Sequence, residues 1–309
     1  MSGKPPGRLG ALCQQLLETV RQESPTEGEP PLLRSFDWHE HGIKQPYLIF
    51  MTGRCGSTWL TNLLRKTRLV GNPDEFLNAD VARYKIKPGQ SGLQEYFSGV
   101  VRTESMHGRF GLQVDPLRLV QSQAIIDWPA VFPTAGTQCF YLYRQDLLAQ
   151  AWSWVVAQRS GYWHANGQFT DVAQNRSLDY VPTERQLAEE MVRIRATEEQ
   201  LDAFFVRFGY KPQYIPYESL LSELSTQLSL IFLKLGLDEE IGPVIEGLQS
   251  ASPGIDKLKY NQKQRILAEF SITHAAVMND LHVARFRSSS AQLREQLAPA
   301  WLTEAAVNA

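Results

Sequence analysis

The residues with the clearest chemistry lie in "TGRCGST", positions 52–58, between an apolar run and a helical pattern. A glycine-punctuated turn in that position exposes backbone N–H groups, and the helix start adds partial positive charge. The hydroxyls of Ser57 and Thr58 can donate further hydrogen bonds, and the fork of Arg54 can grip oxygens. Such a set suits a phosphate or a group shaped like one. It departs from the nucleotide-kinase loop G-x-x-x-x-G-K-[ST]. Ser57, not a lysine, follows Gly56, and the nearest cation, Arg54, precedes that glycine. Downstream, the acidic residues are not spaced to hold the magnesium that offsets a triphosphate's charge. A sulfuryl group has phosphoryl-like geometry and carries one charge rather than two. The pattern alone fits a plain strand-to-helix turn with a Ser cap equally well.

Other stretches add to it. In "YLYRQDLLAQAWSW" (141–154), Arg144 closes an apolar run and Ser153 follows about two helical turns later. Together they could clamp a second, separate phosphate; alternatively Arg144 caps a helix or pairs with Asp146. In "GNPDEFLN" (71–78), Glu75 follows a turn and could return to the mouth of the loop as a general base, or be a solvated loop acid. Trp152, Trp154, Tyr162, Trp163 and His164 could supply an aromatic platform for an acceptor, although Trp152 reads better as core. Cys55 sits beside Arg54 near a helix start, a setting that lowers a thiol pKa. It is expected to be the fastest-reacting cysteine.

These residues need elements to hold them. Apolar positions at helical spacing predict a helix over 9–22, which "SPTEGEPP" ends. "PYLIFMTG" (46–53) is a continuous apolar run, as in a strand buried on both faces. Helices are predicted over 57–67, near 93–101, over 116–126, 146–159, 184–208 and 218–235, and in the C-terminal fifty or so residues. Further strands are predicted over 109–114, 138–144 and at "PQYIP", with 127–137 as a loop. Strands alternating with helices imply an α/β fold with a mostly parallel sheet, whose ligands bind beyond the carboxyl ends of the strands. The loop and Arg144 would then share one rim.

The chain has 309 residues, 43% of them hydrophobic, with 31 Lys and Arg against 33 Asp and Glu. A formal charge of −2 argues against a general nucleic-acid or anionic-membrane binder. The three cysteines form neither a metal-spaced pair nor a disulfide framework, which favours a reducing compartment. With no signal-peptide pattern and no membrane-length apolar run, a cytoplasmic setting is expected. No repeat or low-complexity block appears, so residues 46–309 read as one domain preceded by an N-terminal helical extension over 1–45.

Taken together, the order and spacing of these stretches resemble the bacterial sulfotransferases of the trehalose 2-sulfotransferase type. The shared features are the strand followed by Arg-small-Gly-Ser-Thr, a Gly-x-Pro-x-Glu-Phe segment ("GNPDEF"), a strand-end arginine, Gln-Ala-x-Ser ("QAWS") and a following Gln and Trp ("QRSGYW"). The resemblance runs from about 46 to 165 and more weakly to about 270. It implies a three-layer, P-loop-NTPase-like sulfotransferase fold and a homodimer. It also implies 3′-phosphoadenosine-5′-phosphosulfate as donor, without a metal, and a small hydroxyl acceptor such as a carbohydrate or glycolipid. By this resemblance Arg54, Cys55, Gly56, Ser57 and Thr58 cradle the 5′-phosphosulfate. Arg144 and Ser153 hold the 3′-phosphate, with Lys257 as a late basic contact, and Glu75 takes the acceptor proton. Cys55 replaces the usual Ser or Thr. Gln113 stands where members often carry lysine, a departure bearing on acceptor recognition more than on the donor. The competing readings are a divergent P-loop kinase, which would need magnesium, and a non-catalytic nucleotide-binding module, which would not need Glu75.

Overall fold

The computed structural model describes residues 33–87, 92–161, 180–237, 242–248, 257–286 and 289–298. The helix expected over 9–22 and the aromatic residues Tyr162, Trp163 and His164 lie outside them. In chain order, β1 (Gln45–Met51) leads through the loop to α1 (Ser57–Thr67). Helices α2 (Ala79–Lys85) and α3 (Leu93–Glu104) precede β2 (Arg109–Val114). Then come α4 (Pro116–Ser122), α5 (Trp128–Val131), β3 (Gln138–Tyr143) and α6 (Leu147–Ser160). The long α7 (Glu184–Phe208) precedes β4 (Gln213–Pro216), α8 (Tyr217–Ser222) and α9 (Leu224–Lys234). The chain continues with α10 (Gly242–Leu248), α11 (Lys257–Thr273), α12 (Ala275–Ala284) and α13 (Ser290–Gln296).

The strands form one parallel sheet in the order β2-β1-β3-β4. Successive strand residues face opposite sides, and here both sides are covered. Leu48 and Phe50 of β1, with Cys139 and Tyr141 of β3, enter a core shared with Phe97, Trp128, Phe204 and Phe205. Tyr47, Ile49 and Met51, with Phe140 and Leu142, enter the other core with Leu60, Leu64, Leu228 and Phe232. The result is a three-layer α/β fold. Burial of each such side chain contributes about 1.5–3 kcal/mol, which explains why the strands read as unbroken apolar runs.

A third core joins α6 and α7 to the C-terminal helices through Trp152, Leu187, Met191, Phe270, Leu281 and Leu293. Trp152 is therefore core. This packing brings α11 and the end of α12 back to the rim of the sheet. Leu33, Phe36, Trp38 and Ile43 are also buried, against the β2 side of the sheet. Leu33 pairs with the backbone of Ile125 and Asp127, and Trp38 Nε1 donates to Val131 O.

Several expectations are corrected. The 127–137 stretch contains α5, started by an Asp127 side chain that accepts from Ala130 N and by a proline in the first turn. The predicted helix over 218–235 is two helices, broken at Glu223, whose backbone leaves the helical region at φ −135 and ψ 43. Helix α4 ends at Ser122 rather than at 126.

Candidate active site

The loop after β1 owes its shape to two close approaches. Gly56 has φ 88, a left-handed conformation suited to glycine, and a Cβ there would lie 2.3 Å from the Tyr217 ring. A Cβ on Gly53 would lie 1.7 Å from the Trp154 ring. Tyr217 and Trp154 thus press on the backbone where a side chain would keep them off. Trp154 is in turn stacked under the Arg193 guanidinium, 4.2 Å from its ring centre. It braces the loop. Arg54 is left-handed too, with φ 65, unusual for a residue with a side chain. Its Nε donates to Ser153 Oγ at 3.0 Å, so the predicted loop cation and the predicted α6 serine meet.

Arg144 lies just beyond β3 and stacks on the Tyr217 ring at 5.2 Å. The same ring therefore touches both Gly56 and Arg144. Glu218 is the nearest acid, with Oε1 3.8 Å from Arg144 Nε. Its carboxylate is otherwise engaged, accepting from Gln145 N at 2.8 Å and Asp146 N at 3.2 Å. Arg144 Nε is buried and makes no hydrogen bond. Asp146 caps α6 by accepting from Ala149 N, and does not hold Arg144.

Lys263 on α11 completes this cluster, and nothing local in the sequence marks it. Burial, helped by the nearby charges of Arg144 and Arg54 and opposed by Asp146, lowers its pKa to about 8. Lys263 lies on the helix that Lys257 opens. Like charges gathered on one rim repel unless an anion joins them.

Cys55 reverses its expectation. It is fully buried in the core beneath the loop. Burial raises its thiol to about 12, outweighing backbone N–H bonds and the charges of Arg285 and Arg144. Its side chain faces away from solvent, and of this residue only the backbone can serve an anion. Ser57 is also largely buried, at the first position of α1.

Glu75 stands one strand over, near the carboxyl end of β2. The segment is held by Asp74, whose Oδ1 accepts from Glu75 N and whose carbonyl accepts from Gln113 N. Glu75 Oε2 accepts from Asn78 Nδ2 at 3.0 Å, and Oε1 accepts from Gln113 Nε2 at 3.2 Å. Both partners are neutral amides. Burial raises the Glu75 pKa to about 7, with Asp115 and Asp74 adding to the rise, while Asn78 and Arg118 oppose it. The Gln113 departure therefore touches the acid itself. The loop and Glu75 share a rim because Ile49 and Phe50 of β1 pair with Gln113 and Val114 of β2. Among the described residues, no group of His, Cys, Asp and Glu side chains is disposed to hold a metal ion, and no helix is long and apolar enough to cross a membrane.

Comparison with known proteins adds an independent line. A sulfotransferase domain from the olefin synthase of Synechococcus PCC 7002 is 12% identical, covering 75% of this chain and 82% of its own, with a TM-score of 0.36. No curated protein matches. The family described as Stf0 sulphotransferase matches residues 121–258, a stretch that contains Arg144 and Ser153 and lies downstream of the loop and Glu75. That match over residues 121–258, together with the parallel α/β fold, supports a sulfotransferase similar to the Stf0 sulphotransferases.

Proposed function

We propose that the enzyme uses 3′-phosphoadenosine-5′-phosphosulfate as donor and sulfates a hydroxyl of a small acceptor, a carbohydrate, glycolipid or other alcohol, with Glu75 as general base. The observation that carries this reading is the gathering of Arg54, Arg144 and Lys263 on the rim beside an acid poised near neutrality. A ligand with two anionic ends fits a cluster whose buried Arg144 Nε lacks a hydrogen-bond partner. When bound, this donor supplies an activated sulfuryl group whose transfer leaves a phosphate oxygen with added negative charge.

The chain's own residues have divided tasks. Backbone N–H groups at the start of α1, with Arg54, stabilise charge on the 5′ side. Arg144, Ser153 and Lys263 hold the 3′-phosphate. Fixed cations make a metal unnecessary for countercharge. Glu75, ionised, accepts the hydroxyl proton as the acceptor oxygen bonds to sulfur. A pKa near the working pH suits that role, because the carboxylate is both available and basic enough to take a proton.

The test is incubation with sulfur-labelled donor and a panel of carbohydrate and lipid alcohols, in excess chelator. Labelled products heavier by one sulfate are expected, with turnover intact. Dependence on magnesium and transfer from ATP instead would overturn the reading in favour of a kinase.

A further inference from the structure

The Gln-Ala-x-Ser motif contains a residue that the mechanism above leaves unused. Gln150 is fully buried, one turn before Ser153 on α6. Its Nε2 donates to Gly53 O and to Thr52 Oγ1, both at 2.8 Å. Its Oε1 accepts from Arg285 Nη2 at 2.8 Å. The amide is therefore engaged at both ends, which fixes its orientation.

Arg285 comes from the far side of the fold, just after α12. Its Nη2 also donates to Glu198 Oε1 at 2.6 Å, and Glu198 pairs in addition with Arg195. These charged side chains are all buried, with exposures of 4% or less. Arg285 Nη1 is buried without a hydrogen-bond partner. Burying ions in this way is costly. A hydrophobic cluster would fill the space at lower cost, and what it would lack is a rigid grip on Gln150.

The backbone shows what that grip does. No peptide bond among the described residues is cis. In a trans peptide the C=O and the following N–H point in opposite directions. Drawing Gly53 O inward to Gln150 therefore turns the Arg54 N–H outward, away from the core. The same contact holds the strained left-handed turn at Arg54. We propose that Gln150, locked by Arg285 and Glu198, is the positioning residue that turns the Gly53–Arg54 peptide so that its N–H meets the 5′ anion of the donor. This rests on the reading of the 53–58 loop as the donor's 5′ grip.

The experiment compares Gln150→Glu, Arg285→Lys and Arg54→Ala by titration with adenosine 3′,5′-bisphosphate, AMP and adenosine 3′-phosphate. In Gln150→Glu, the new carboxylate would keep an acceptor for Arg285 and present an oxygen to the Gly53 carbonyl, favouring a reversed peptide. This variant should bind the ligands bearing a 5′-phosphate about ten- to a hundredfold more weakly, the scale of one or two lost hydrogen bonds. Adenosine 3′-phosphate should bind as in the wild type. Amide exchange gives a second readout: ligand should protect the Arg54 N–H in the wild type and not in Gln150→Glu. Arg285→Lys keeps a donor for Glu198 and loses the fork that holds Gln150. It should show the same selectivity in milder form, and it serves if Gln150→Glu does not fold. Equal losses for all ligands, or none, in either folded variant overturns the proposal. If Arg54→Ala also leaves 5′-phosphate binding unchanged, the loop assignment itself falls. A loss in Arg54→Ala alone removes only the role of Gln150.

Discussion

Beyond the ends of β1 and β3, Arg54, Arg144 and Lys263 crowd together, with Glu218 and Asp146 nearby also bonded to backbone N–H groups. At the end of β2, Glu75 sits among neutral amides with a carboxyl pushed up to about 7. Both regions pack charge into partly buried space, yet the outcomes differ. Arginines remain charged whatever their surroundings, so the first region keeps a fixed positive charge that an anion can join. A carboxylic acid answers the same burial by holding its proton until near-neutral pH. One region is suited to binding a permanent anion, and the other to changing its proton during a reaction. The contrast predicts that mutations in the first act mainly on donor affinity and mutations in the second mainly on turnover.

The largest effect tests the second half of that division. Glu75→Gln is nearly isosteric and should lower kcat by about 10²–10⁴, the range of general-base catalysis. Affinity for adenosine 3′,5′-bisphosphate should stay within about twofold. Asp74→Asn should retain most turnover, because Asp74 is turned to Glu75 N and, at 3.4 Å, to Arg65. Near-normal kcat in Glu75→Gln, measured by product formation under saturating donor, would remove Glu75 as the base.

The donor side comes next. Arg144→Ala should weaken adenosine 3′,5′-bisphosphate by about ten- to a hundredfold, the scale of a lost charge-assisted hydrogen bond. AMP should be nearly unaffected. Lys263→Met should give a smaller loss of the same kind. In the wild type, affinity should fall as pH rises through about 8, where the free Lys263 ammonium loses its proton. Lys263→Met should flatten that dependence. Calorimetric titration from pH 6.5 to 9.5 would check both, and an unchanged slope in Lys263→Met would place Lys263 outside the site.

How far the sequence foretells this division depends on which contacts are local. Strands β1 to β3 are legible because both faces of the sheet are covered and the apolar runs are unbroken. Helix α7 is legible at both ends: Thr183 and Gln186 form a capping box, and Gly209 ends it with φ 73. The break at Glu223 carries no Gly or Pro, so the apolar pattern runs across it. In the site, the loop, Arg144 and Glu75 can be singled out because each follows a strand or a turn. Lys263, Glu218 and Arg285 cannot, because what places them is the docking of distant helices. The reactivity of Cys55 is misjudged from sequence for a related reason: its neighbours along the chain are polar and cationic, while its neighbours in space are apolar.

A smaller effect concerns how Glu75 is tuned. Gln113 Nε2 is a neutral donor to the acid. The other groups around the carboxyl are Asn78, Asp74, Asp115 and Arg118. In the wild type, kcat should rise with pH up to about 7 and then level off, since the ionised acid is the base. Gln113→Lys would put an ammonium beside Glu75 and lower its pKa by about 1–3 units. The midpoint of the kcat–pH profile should move down accordingly. The plateau should fall a few-fold at most, about what a weaker base implies. An unmoved midpoint would separate Gln113 from the titrating group.

The smallest effect on binding is expected at Cys55, inside the loop itself. Its side chain lies in the core with Leu60, Leu63 and Ile215, whereas the anion would meet the backbone. A serine at this position would place a hydroxyl where the partners are apolar. Burying an unpaired hydroxyl costs about 1–3 kcal/mol in proteins. Cys55→Ser should therefore lower the denaturation midpoint and leave the affinity for adenosine 3′,5′-bisphosphate within about twofold. The native thiol should also resist alkylation, because burial both blocks access and holds it protonated up to about pH 12. Adding denaturant should release it. Fast alkylation of native Cys55 that bound ligand prevents, or a loss of affinity in Cys55→Ser without a loss of stability, would put this side chain on the ligand's face of the loop. The loop could then no longer be divided into a backbone face for the anion and a side-chain face for the core.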